Sequence, residues 1–181
     1  MNFLTRNRAW GLGIAALIFA VDQLVKWIMV AQLDLRVVRE IYILPFFQFT
    51  WTENYGVSLG MLQATSMEMR WVLVGVTSLI ALVVLVWMLR EKKFGDVLGL
   101  SLILGGALGN IRDRWTEGYV IDYLDLHFGD FRPFYIFNIA DAAITIGVLI
   151  ILARAFFLRE KPSDKADTND TELGEAPAET N

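Results

Sequence analysis

The chain of 181 residues has no cysteine and a single histidine, His127. Disulfides, thiol nucleophiles, iron–sulfur centres and multi-histidine zinc sites are thereby excluded. Charge is scarce as well: 20% of residues are charged against 55% apolar, and mean hydropathy is +0.46. A soluble globule does not fit that balance. The net charge of −4 says little about partners, because the acids gather in one place, and no nucleic-acid partner is expected. From Glu160 onward EKPSDKADTNDTELGEAPAETN is polar, acidic and free of aromatics, which reads as a disordered tail over 160–181. Also missing are HExxH, GxSG and GxGD, the signatures of zinc, rhomboid-type serine and presenilin-type membrane proteases.

What remains is concentrated in apolar blocks. Trp71 to Leu89 carries no charge and Phe134 to Ala153 carries only Asp141, each run matching the ~20 residues a helix needs to cross hydrocarbon. Trp10 to Leu33 is long enough but contains Asp22 and Lys26, whose stem can snorkel. Val97 to Ile111 is uncharged but short, about 22 Å at helical rise. Counting both predicts four spans, at about 10–32, 71–89, 97–111 and 134–157, in one membrane domain over residues 1–159. The N-terminal run after Arg6 and Arg8 imitates a signal peptide, yet no small-x-small site ends it. It continues instead into VDQLVKWIM, with Asp22 and Lys26 at i and i+4.

Four spans put both termini on one side. That side collects Arg6, Arg8, Arg90, Lys92, Lys93, Arg154, Arg159, Lys161 and Lys165, against Arg36, Arg39, Arg70, Arg112, Arg114 and Arg132 opposite. The positive-inside rule therefore makes the termini cytoplasmic and the two longer loops external. In the first loop, FFQFTWT alternates Phe47, Phe49 and Trp51 with polar residues, a strand signature. The expected fold class is an all-α membrane protein with a small β-containing segment between spans 1 and 2. Gly99, Gly105, Gly106, Ala107 and Gly109 make the third span its packed centre.

Ionisable groups at membrane depth are costly and mark function. Asp141 is the eighth residue of the expected last span, about 10 Å in, with Asn138 one turn before it. A structural alternative pairs it with Arg114. In GALGNIRDRWTEGYVIDYLDL, Asn110, Asp113 and Arg114 share a helix face, and Asp122 sits among Val120, Ile121, Tyr123 and Leu124. Asp125 and Asp130 compete with Asp122 on position alone. Two carboxylates at hydrogen-bonding distance cannot both ionise easily, so one keeps a proton; aspartic proteases activate water with such a pair. A transporter or ion pathway through Asp22, Lys26, Asp141 and Arg114 is the rival reading, weakened because the charges gather toward one face.

Four ordered blocks, the DQLVK helix, NYGVSLG, GALGNIRDRWTEGYVIDY and FNIADAAI, resemble bacterial lipoprotein signal peptidase, signal peptidase II, from about residue 10 to 157. The resemblance implies a catalytic dyad of Asp122 and Asp141, with no metal or cofactor. It places Asp22, Lys26, Asn54, Gly56, Asn110, Asp113, Arg114, Asn138 and Ala140 at supporting or substrate-contacting positions. It further implies a lipid-modified prolipoprotein substrate, cut just before a diacylglyceryl cysteine at the outer face of the bacterial inner membrane, contact with membrane lipid, and inhibition by cyclic peptides of the globomycin type. The chain departs from the family at Val57, Ser58 and Leu59, where Ala and a bulky aromatic are common after NYG, and at Tyr123, where Phe is usual.

Overall fold

The computed structural model describes residues 6–56, 67–129 and 131–157. The expected tail, Val57 to Leu59 and Asp130 lie outside the described residues. Among the described residues four helices are long and apolar enough to cross a membrane. They are α1 (Arg6–Trp27), continued by a π-helical turn over Ile28–Gln32, then α3 (Met67–Arg90), α4 (Phe94–Thr116) and α5 (Ile139–Phe157), while α2 (Leu35–Val38) is a single turn. Between them run β1 (Glu40–Leu44), β2 (Phe47–Asn54) and β3 (Val120–Leu126).

The central helix is α4, packed on α1, α3 and α5. Its small residues are why. A Cβ on Gly106 would strike the Ala140 carbonyl, and one on Gly109 would strike the Asp22 carboxylate. Both glycines therefore let α1 and α5 close on α4 at the end where the acids lie.

Three of the expected spans need correction. The third helix is not the short segment 97–111 but runs over 94–116, because Asn110, Asp113 and Arg114 are buried against protein partners and need not leave the helix. The fourth begins at Ile139 instead of residue 134; Phe137 pairs with Leu124 across an antiparallel bridge, so 134–138 is not helical. Asp141 is consequently the third helical residue and lies in the first turn, not eight residues deep. The second helix is also longer than 71–89, at Met67–Arg90.

The sheet is antiparallel in the order β1-β2-β3. Its third strand comes from the loop between α4 and α5, so the β segment is not confined to the connection between the first two spans. The expected apolar face of Phe47, Phe49 and Trp51 is broken. A register shift between Phe49 and Thr52 buries Gln48 and Trp51 instead, each 3% exposed, while Phe47 and Phe49 are half-buried. Such a bulge reverses which side chains face inward.

Candidate active site

The site is assembled from five chain segments at one end of the bundle: α1, the end of β2, α4, β3 and the start of α5. β3 follows α4 directly and carries Asp122; α5 starts soon afterwards and carries Asp141 in its first turn. The start of α5 is fixed by Asn138, whose Oδ1 accepts from the Asp141 N–H at 2.9 Å, as an N-cap side chain does for the third helical residue. Its amide nitrogen is then free to donate elsewhere: to Asp122 Oδ1 at 2.7 Å, to the Ile121 carbonyl at 3.2 Å and to Asn110 Oδ1 at 3.2 Å. One side chain thus starts the helix, holds the strand and orients a carboxylate.

Asn110 completes the bridge. Its Nδ2 donates to Asp141 Oδ1 at 2.8 Å, so the two aspartates are held by a pair of asparagines that are hydrogen-bonded to each other. On its other oxygen Asp122 accepts from Asn54 Nδ2 at 3.0 Å. Asn54 is itself pinned, because its Oδ1 accepts the Gly56 N–H at 3.0 Å and the Gly56 carbonyl accepts from Arg114 Nη2 at 2.7 Å. The end of β2 is thereby tied to α4. Among the described residues Arg114 makes no ion pair with Asp141 and donates to the Gly56 carbonyl instead, so the structural alternative that pairs the two does not hold.

Beside this pair lies a second acidic group with a different composition. Lys26 Nζ is 2.9 Å from Asp22 and 2.6 Å from Asp113, and donates to Asn110 Oδ1 at 3.3 Å. All four residues are buried. Asp22 Oδ1 reaches across to accept the Ala140 N–H at 3.1 Å, where the helix dipole of α5 favours an anion, and Asp113 accepts the Ile121 N–H at 3.3 Å. Gln23, which sequence reasoning passed over, donates to both Asp22 (3.0 Å) and Asp113 (3.1 Å). Its position next to Asp22 in DQLVK was the available signal. Every residue expected to support the site is brought to it, Gly56 and Ala140 by their backbones.

The electrostatic consequence falls on Asp122. Burial, and next the charge of Asp141, push its carboxyl up to about 7, opposed by the amide donors of Asn54 and Asn138 and by Lys26. No cation bonds it directly among the described residues. A carboxyl that gives and takes a proton near neutrality, beside a second acid and away from bulk water, can act as general acid or base. Asp125, three residues along the same strand, is also buried but accepts from Gln48, Thr50 and Arg132. Asp130 lies outside the described residues.

Four helices of membrane-spanning length among the described residues, with the buried Asp122 and the half-buried Asp141 at one end of them, fit a multi-pass membrane enzyme of the aspartic-protease class. Residues 14–157 match the family described as signal peptidase (SPase) II. The lipoprotein signal peptidase of Sphingopyxis alaskensis is 54% identical over 152 residues, covering 84% of this chain and 88% of that protein. That of Rhizorhabdus wittichii is 50% identical over 163 residues, covering 89% and 95%. A bacterial membrane enzyme solved by the in meso method at 2.3 Å resolution superposes with a TM-score of 0.70 at 27% identity, covering 85% of this chain and 94% of that one. The chain belongs to the signal peptidase II family, and with it to the enzymes that process prolipoprotein signal peptides.

Proposed function

We propose that the chain is an intramembrane aspartyl endopeptidase that cuts the signal peptide from diacylglyceryl-modified prolipoproteins just before the lipidated cysteine. Asp122 and Asp141 are its dyad. The observation that carries this reading is their shared asparagine bridge, which links the buried Asp122 to the half-buried Asp141 without a directly bonded cation among the described residues. The ionised member takes a proton from water as that water attacks the scissile carbonyl; the protonated member donates to the carbonyl oxygen. Proton positions then reverse as the amine leaves. No step asks for a thiol, a histidine or a metal.

The remaining residues support that pair. Lys26 with Asp22 and Asp113 ties α1, α4 and β3 together behind the dyad, and Asn54 and Gly56 place the end of β2 against Asp122. A substrate tethered by its signal helix and acyl chains would meet the acids at the end of the helices, where membrane and water meet. On the charge distribution this is the periplasmic face, with both termini in the cytoplasm. Cyclic peptides of the globomycin type are expected to occupy the same place.

The test is a gel-shift cleavage assay with a diacylglyceryl-modified prolipoprotein. Wild-type protein should convert it, and Asp122→Asn and Asp141→Asn should each stay folded in the membrane and fail. Robust turnover by either variant would defeat the dyad. Cleavage arrested by a globomycin-type peptide in the same assay extends the reading to inhibitors.

A further inference from the structure

Both α1 and α3 pack on α4 but touch each other little, and the gap between them is a groove on the outside of the bundle. Its volume is about 530 Å³. Small side chains make the room: Ala15 and Ala16 on α1, and Ser78 and Ala81 on α3. Leu104 and Leu108 of α4 form its floor. Toward the dyad end the groove runs on past Leu108 into a second hollow of about 330 Å³, which ends at Arg112 and Trp115.

The dimensions and the chemistry of the two ends limit what fits. From Leu104 to Trp115 is about 16 Å at helical rise, roughly half of a ~30 Å hydrocarbon core, so the groove is one leaflet deep. Trp115 is 60% exposed and meets Trp71 edge-on at 4.9 Å, an aromatic pair of the kind found at headgroup level. Arg112 stands exposed at that same level. Its Nη1 donates to Gln23 Oε1 at 2.5 Å, which engages one of five guanidinium N–H donors. An apolar channel of acyl-chain depth that opens on a cation complements a lipid with a negative headgroup. A diacylglyceryl group without phosphate leaves the cation unmatched.

We infer that this groove binds one anionic phospholipid, with an acyl chain lying along α4 and the headgroup phosphate on Arg112. The site is separate from the dyad and does not depend on its assignment. It is not remote from the site's scaffold, because Gln23, which holds Arg112, also contacts Asp22 and Asp113.

Native mass spectrometry of the full chain, released from detergent after titration with phosphatidylglycerol or phosphatidylcholine of matched chains, tests the site. Wild-type protein should retain phosphatidylglycerol about five-fold better, the effect of one cation on an anionic lipid. Arg112→Gln should bring that ratio to about one, while Arg112→Lys restores most of it. Ser78→Phe, or Ala16→Phe from the opposite wall should the first not fold, should lower retention of both lipids. An unchanged lipid ratio in Arg112→Gln would overturn the inference. So would retention of glycerol phosphate alone, which marks a free-phosphate site, or one-for-one displacement of phosphatidylglycerol by a diacylglyceryl peptide, which assigns the groove to substrate.

Discussion

Asp122 and Asp125 lie three residues apart on one strand, both almost wholly buried, and they are held in opposite ways. Asp125 accepts from a guanidinium, an amide and a hydroxyl, with Arg132 Nε at 3.1 Å, so its charge is matched where it sits. Among the described residues Asp122 accepts only from the neutral amides of Asn54 and Asn138, and it is raised toward neutrality by burial and by Asp141. The strand's alternation sends the two side chains to opposite faces, one toward the sheet's polar partners and the other toward the helices. Depth in the protein does not separate a structural carboxylate from a reactive one; the charge of its hydrogen-bond partners does.

The sharpest way to break that comparison is to remove each acid in turn. Asp122→Asn should lower turnover by about 10³-fold or more, whereas Asp125→Asn should leave it within about ten-fold and lower the melting temperature instead. Equal losses of cleavage in the two variants would erase the distinction. Asp122→Asn should also change the pH dependence of stability. The folded chain keeps the Asp122 proton up to about 7 while the unfolded chain loses it near pH 4, so stability falls as pH rises across that window. The variant should flatten this slope in denaturation curves recorded across it.

Next in size is Lys26→Met. With its cation gone, Asp22 and Asp113 are left buried and facing each other, a loss of about 3–5 kcal/mol in detergent-solubilised unfolding. Gly109→Ala should cost less, about 1–3 kcal/mol, because its methyl group pushes the Asp22 carboxylate away from α5. An unchanged unfolding midpoint would show that the close approach of α1 and α4 does no work. The smallest effect belongs to Asn54→Ala. Losing that donor raises the Asp122 carboxyl further, and the alkaline limb of cleavage should move up by about half to one pH unit. A limb that moved down would reverse the sign assigned to this bond.

Much of this was legible before the fold was known, for a physical reason. Four helices follow from apolar runs that water would not tolerate, and Asp22 with Lys26 or Asn110 with Asp113 and Arg114 follow from helical spacing. The block resemblance, not periodicity, separated Asp122 from Asp125 and Asp130. What hydropathy could not show is where a polar stretch stays helical because protein replaces water. That is why α4 outruns its apolar core by five residues to Thr116, and why α5 starts only where Asn138 can cap it. Nor does alternation reveal a bulge, so the inward turn of Gln48 beside Trp51, and with it the partner set of Asp125, had no sequence signal. The asparagine bridge was partly visible as two asparagines, but their mutual bond depends on tertiary packing.

The central claim is that Asp122 and Asp141 act as one unit sharing a proton. Carboxyl ¹³C resonances of aspartate-labelled protein, assigned by Asp122→Asn and followed against pH, test it without substrate. The Asp122 resonance should titrate at about 7 in the wild type and move clearly lower in Asp141→Asn, where the neighbouring charge is gone. A midpoint in the ordinary carboxylate range, or the same midpoint in both proteins, would contradict the account.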